Sequence, residues 1–171
     1  PHPELLINQP NVYLSMGLTA ENVAKKYNLS RKEQQEFAIN SHVNAAKAQL
    51  SKSFDKEITI IKKDNIEVKS DGGIRPNTSQ EILNNLKLVF DEKGTITAGT
   101  ASPLTDGAAA TLVCEEEYAK AHRLPIIARI KSTAVQGCLP ELMGLGPINA
   151  SKKALKRANL EINDIDIVEL N

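Results

Sequence analysis

At Gly94 the sequence changes character. Upstream, charged residues alternate with apolar ones at helical spacing; from Thr95 to Ala110 the chain is rich in Gly, Ala, Ser and Thr. Residues this small let two backbones, or a backbone and a ligand, approach closely. A chain with this break is expected to build one part from helices and another from closely packed, thinner elements.

Before the break, Thr19 can cap a short helix with Val23, Ala24 and Tyr27 on one face. Ser30-Arg31-Lys32-Glu33 reads as a capping box, in which the serine hydroxyl accepts a backbone N–H and the glutamate reaches back to the cap. The helix it opens is predicted to run to about Leu50, burying a narrow face of Phe37, Ser41, Ala45 and Ala48. Phe54 to Ile61 and Ile66 to Val68 read as two strands around the turn 62–65, followed by the loop Asp71-Gly72-Gly73. Thr78 with Glu81 reads as a second capping box, ahead of Ile82, Leu83 and Leu86.

After the break, Thr111 to Cys114 reads as a buried strand, Glu115 to His122 as a helix and Ile126 to Val135 as a strand. Ser151 to Asn159 reads as a helix with Ala154, Leu155 and Ala158 inward, and Ile165 to Leu170 as another strand. Strand, helix, strand with short connections is a βαβ unit and implies a parallel sheet. The expected fold class is therefore α/β.

Charge removes several function classes. Lysine plus arginine equals aspartate plus glutamate, at 21 each, so the chain lacks the basic excess of a nucleic-acid binder. Residues 19–50 superficially suggest a helix-turn-helix, but the second helix opens with the mixed charges Arg31, Lys32, Glu33 and Glu36 rather than a basic reading face. No apolar run approaches the ~20 residues of a membrane span, and Pro1-His2-Pro3-Glu4 is not a secretory signal. If the source is bacterial, a cytoplasmic location is expected. Cys114 and Cys138 form no CxxC pair and have no histidine cluster, so no metal site is expected; Cys114 reads as a small buried hydrophobe. The absent initiator Met and the abrupt Val168-Glu169-Leu170-Asn171 read as the ends of an excised segment.

Four stretches carry a resemblance: Met16-Gly17-Leu18-Thr19-Ala20-Glu21-Asn22; Thr97-Ala98-Gly99-Thr100-Ala101-Ser102 leading into Asp106-Gly107-Ala108-Ala109-Ala110; Met143-Gly144-Leu145-Gly146-Pro147 with Ala150-Ser151; and Val168-Glu169-Leu170-Asn171. In this order they resemble the thiolase family, notably 3-ketoacyl-CoA thiolases and acetyl-CoA acetyltransferases. The resemblance implies a partial thiolase fold: a helical loop domain over residues 1–95, the end of the first αβαβα half over 96–122, and the start of the second half over 123–171. It also implies CoA and acyl-CoA as substrates, no separate cofactor, and a homo-oligomeric parent, either dimer or tetramer.

Thiolases move acyl groups between CoA and a cysteine. A cysteine nucleophile needs a base, the leaving thiolate needs a proton, and the thioester oxygen needs hydrogen-bond donors as it gains charge. In the family the nucleophile lies upstream of this stretch, and a Gly-His-Pro histidine and a second cysteine lie downstream; none of these motifs occurs here, so the chain alone is expected to be inactive. Asn171 resembles the asparagine of the Asn-Glu-Ala-Phe motif, which holds a water in an oxyanion hole; its following residues are missing, and the plain alternative is a strand-end asparagine.

The remaining matches fall on the ligand site. Ser102 resembles the serine that hydrogen-bonds the pantetheine chain, against the alternative of a loop serine bonded to its own backbone. Arg75 resembles an arginine near the adenine and phosphate end, against a solvated surface arginine. Phe90, Ala98 and Leu104 would line the pocket wall, or simply serve as core. Met16 and Met143 resemble methionines at the acyl end, where a flexible side chain suits a variable ligand. His42 and His122 are expected to be non-catalytic. Ser15 stands where some thiolases have histidine, and Pro76 and Pro103 depart from the family pattern, leaving acyl length open. The competing reading is a non-catalytic thiolase-like module that holds CoA or a lipid.

Overall fold

The computed structural model describes all 171 residues, Pro1–Asn171. The chain divides into two units, Pro1–Leu104 and Thr105–Asn171.

The first unit opens with a short helix α1 (Pro3–Asn8) and a 3-10 turn, Pro10–Tyr13. Helix α2 (Met16–Tyr27) starts one turn earlier than expected, because Ser15 rather than Thr19 caps it: the Ser15 hydroxyl accepts the N–H of Leu18 at 3.3 Å. Thr19 instead donates its hydroxyl back to the carbonyl of Met16 at 2.8 Å. Asn28 closes the helix in the left-handed region (φ 53°), and Lys25 and Lys26 oppose its C-terminal dipole. The buried side of α2 carries Thr19, Glu21 and Ala24, while Tyr27 is exposed.

Helix α3 (Arg31–Leu50) has the predicted length and the predicted capping box. The Ser30 N–H donates to Glu33 Oε2 at 2.8 Å, and the Glu33 N–H donates to Ser30 Oγ at 3.2 Å. The Ser30 hydroxyl, and then its N–H, hold the Glu33 carboxyl below the usual carboxylate range. The buried face of α3 is not the predicted one. Phe37 is 79% exposed and Ser41 is exposed, whereas Gln35 is fully buried. A polar contact replaces the apolar stripe: the Gln80 amide donates to Gln35 Oε1 and also reaches Asn84 Oδ1 at 3.1 Å, while Gln35 Nε2 is buried without a partner.

The predicted hairpin is present but shorter. Strands β1 (Ile61–Lys63) and β2 (Ile66–Val68) pair antiparallel with Ile61 opposite Val68 and Lys63 opposite Ile66, and Asp64 turns the chain at φ 53°. Residues 54–57 are in turns rather than in a strand. Helix α4 (Gln80–Asn84) is capped by Ser79, whose hydroxyl accepts the Ile82 N–H at 3.3 Å, one residue after the predicted cap. The Thr78 hydroxyl donates to the Arg75 carbonyl at 2.8 Å instead. The core of this unit joins apolar Ala24, Leu83 and Ile96 to polar Thr19, Glu21, Gln35 and Thr97.

The second unit contains α5 (Glu116–Ala121) and α6 (Gly146–Ala158), the latter beginning earlier than expected because Pro147 occupies its first turn. Side chains of α6 hold the extended segment before it. Arg157 donates to the Thr133 carbonyl at 2.6 Å, Lys153 donates to that of Val135 at 3.1 Å, and Ser132 donates to the Ala154 carbonyl at 2.7 Å. On α5, Lys120 and then Arg129 hold the Glu116 carboxyl below the usual range, which ties the 126–130 segment to that helix.

The strands expected at 111–114, 126–135 and 165–170 are not paired, so no parallel sheet and no closed βαβ unit forms. An extended segment becomes a strand only when a neighbour supplies the ladder, and these segments have none. Their apolar side chains stand open: Ile127 is 96% and Ile167 86% exposed. Cys114, expected to be buried, is exposed for the same reason.

Candidate functional site

The loop that follows Gly94 is the most heavily braced stretch of the first unit. Its first anchor is Glu21 on α2. The carboxylate accepts the N–H of Thr95 on both oxygens at 2.9 Å, the N–H of Ile96 at 2.8 Å and the hydroxyl of Thr95 at 3.1 Å. Gly94 permits this approach, since a Cβ there would sit 2.3 Å from Glu21 Oε1. From α3, Gln34 donates its amide to Thr95 Oγ1 at 2.8 Å.

The next turn braces itself. The buried Thr97 accepts the Thr100 N–H on its carbonyl at 3.0 Å, and the Thr97 N–H donates to Thr100 Oγ1 at 3.1 Å. Gly99 lies so close to α4 that a Cβ would meet Leu83 at 2.4 Å and Leu86 at 2.7 Å. An antiparallel bridge between Leu88 and Thr97 completes the frame.

This frame presents the predicted ligand residues outward. Ala98 and Ser102 are exposed, and the Ser102 hydroxyl makes no hydrogen bond within the chain. Leu104 is fully exposed, so the structure gives it no core role. Phe90 is exposed but packs one side of its ring on Gly17 at the start of α2, where a Cβ would meet the ring at 2.3 Å; next to Gly17, Met16 is 72% exposed. Phe90 and the Met16 end of α2 are thus brought together. Arg75 sits on the loop after the hairpin, exposed and without an ion pair. Its backbone N–H donates to His42 Nδ1 at 3.2 Å, and Asp71 Oδ1 accepts the Gly73 N–H at 2.7 Å.

In the second unit Met143 lies in the 3-10 segment Pro140–Leu145, its carbonyl 3.9 Å from Cys138 Sγ. Asn171 is exposed. An open groove of about 630 Å³ runs beside α6, lined by Lys152, Leu155, Lys156, Asn159 and neighbours. It contains none of the predicted ligand residues, and the loop frame after Gly94 is the better candidate site. No three His, Cys, Asp or Glu side chains converge as metal ligands.

Sequence reasoning missed Glu21, Gln34 and the His42–Arg75 contact. A signal for Glu21 existed: it shares with Gly17 and Ala24 the spacing of one helix face. It was masked because a charged residue is expected to be solvated.

Comparison with known proteins agrees with this architecture. Residues 4–117 match the family "Thiolase, N-terminal domain" and residues 124–171 match "Thiolase, C-terminal domain". The chain belongs to the thiolase family. It is 49% identical to the 3-ketoacyl-CoA thiolase of Shewanella loihica over 99% of its own length and 46% of that protein. Among solved structures it is similar to the dimeric peroxisomal thiolase of Saccharomyces cerevisiae (TM-score 0.92, 39% identity, 97% of this chain and 43% of that one). It is also similar to human mitochondrial 3-ketoacyl-CoA thiolase in complex with CoA (TM-score 0.90, 39% identity, 95% and 41%). The chain spans about half the length of the curated relatives it matches. Its fold is that of the corresponding part of a thiolase.

Proposed function

We propose that this chain is the CoA-covering loop domain and central part of a thiolase-type acyltransferase. The parent protein cleaves 3-ketoacyl-CoA with CoA, or condenses acyl-CoAs, through an acyl-cysteine intermediate. Residues 1–95 act as the loop domain, 96–122 end the first half, and 123–171 begin the second. The single observation that supports this most is the likeness to the human thiolase solved with CoA, over 95% of this chain.

The chemistry of the exposed residues suits that ligand. Ser102 offers a hydroxyl to the pantetheine amides, which need both donors and acceptors. Arg75 offers a planar fork of donors to phosphate oxygens. Phe90, Ala98 and Leu104 supply apolar wall, Met16 and Met143 belong with the acyl end, and Asn171 with the oxyanion water. CoA is a substrate here, not a resident cofactor, and the parent works as a homo-oligomer.

Neither exposed cysteine is placed as a nucleophile: no imidazole is hydrogen-bonded to Cys114 or Cys138. The isolated chain is therefore expected not to turn CoA over. Incubation with acetoacetyl-CoA and free CoA, followed by chromatography of the acyl-CoA products, tests this. No acetyl-CoA above the protein-free blank is expected; steady production of acetyl-CoA would overturn the claim.

A further inference from the structure

We propose that Glu21 is a positioning residue for the ligand loop: its buried carboxylate fixes residues 94–97, and through them the exposed Ala98 and Ser102. The consequence for ligand binding rests on the CoA reading above.

The argument starts from what a buried carboxylate requires. Glu21 is 8% exposed and forms no ion pair. Such a charge is tolerated only when hydrogen-bond donors replace water. All the donors it finds come from one short stretch: the N–H groups of Thr95 and Ile96 and the hydroxyl of Thr95. The hydroxyl is oriented by a second helix. Gln34 donates to Thr95 Oγ1, which leaves the threonine proton to point at Glu21. Helices α2 and α3 thus converge on one residue of the loop.

The clamp also leaves the loop no room to slide. Gly94 packs on the carboxylate and Gly99 on Leu83 and Leu86, both closer than a Cβ permits. Between these two fixed points lies Thr97, fully buried. What remains free is the outer surface of the turn, where Ala98 and Ser102 stand. A loop held this way is pre-organised, so ligand binding does not have to order it.

Glu21→Gln tests the idea. The amide keeps one acceptor oxygen but loses the charge and turns an NH2 toward donors. Amide hydrogen exchange by NMR on the full chain reads the loop directly. Exchange at Thr95, Ile96 and Thr97 is expected to accelerate about tenfold or more, while amides in the middle of α3 keep their rates. On the same samples, calorimetric titration with CoA is expected to show Kd raised about fivefold or more. Should Glu21→Gln fail to fold, Thr95→Val removes the hydroxyl alone and is expected to give the same pattern with a smaller change.

Unchanged exchange at Thr95 and Ile96 would overturn the clamp. Faster exchange with unchanged CoA affinity would overturn its role in ligand positioning. If the unsubstituted chain takes up no CoA at all, the ligand reading fails and the positioning role toward CoA fails with it. The exchange data then still decide whether Glu21 holds the loop.

Discussion

Arg31 Nη2 lies 2.7 Å from the carbonyl oxygen of Leu86. The same nitrogen reaches the carbonyls of Leu83 at 2.8 Å and Asn84 at 3.1 Å, so the first residue of α3 caps the C-terminal end of α4. A cation there adds donors to carbonyls at the end of the short helix, of which that of Leu83 also accepts the Leu86 N–H at 3.2 Å, and opposes the helix dipole. Arg31 Nε is buried without a partner, which offsets part of the gain. Arg31→Ala is expected to lower stability by about 2 kcal/mol, and Arg31→Lys by about half as much, because an ammonium does not reproduce the guanidinium fork. Urea unfolding followed by circular dichroism checks both values.

The contact between Gly17 and the Phe90 ring predicts a coupled pair. Gly17→Ala places a methyl group 2.3 Å from the ring, which is expected to destabilise by roughly 1–3 kcal/mol. Removing the ring relieves the clash. The double variant Gly17→Ala/Phe90→Ala is therefore expected to lose less than the sum of the single losses, and a double-mutant cycle reads the difference. Additive losses would mean that the two residues are independent.

The capping box at Ser30 predicts a dependence on acid. Glu33 is held below its ordinary range in the fold, so its contribution is present above the unfolded value and disappears as pH falls through the lower folded value. Stability of α3 should therefore decline on acidification below the ordinary glutamate range. Glu33→Gln should flatten that part of the profile. Thermal unfolding at a series of pH values, with and without the substitution, measures the slope directly.

The uncovered segments of the second unit predict association. Ile127, Val135 and Ile167 are open apolar side chains on extended backbone without ladder partners. Such edges recruit other chains. Sedimentation velocity at rising concentration is expected to show species larger than the monomer, and Ile127→Lys with Val135→Lys to shift the distribution toward it.

These predictions follow the line between what is legible in the sequence and what is not. The capping box at Ser30–Glu33, the length of α3 and the hairpin at residues 61–68 depend on near neighbours, and local rules find them. The caps at Ser15 and Ser79 are displaced from the predicted residues because hydroxyls close in sequence compete for the same role. The burial of Gln35 and Glu21 escapes an apolar periodicity, since their stability comes from donors and acceptors far along the chain. Apolar runs at 111–114, 126–135 and 165–170 are strand-like in the sequence, yet a ladder is a property of two segments, and the second one is not supplied here. Of the site, the turn bearing Ala98 and Ser102 was marked by its small residues; the polar frame that holds it was not. Leu104, expected to line a wall, has no packing partner in this chain.

The central claim is that the surface presented after Gly94 receives CoA. Calorimetric titration of the chain with CoA, beside the Ser102→Ala variant, tests it most directly. The account predicts saturable binding, weakened by Ser102→Ala about two- to tenfold, the loss of one ordinary hydrogen bond. No heat of binding, or equal affinity in both proteins, would contradict it.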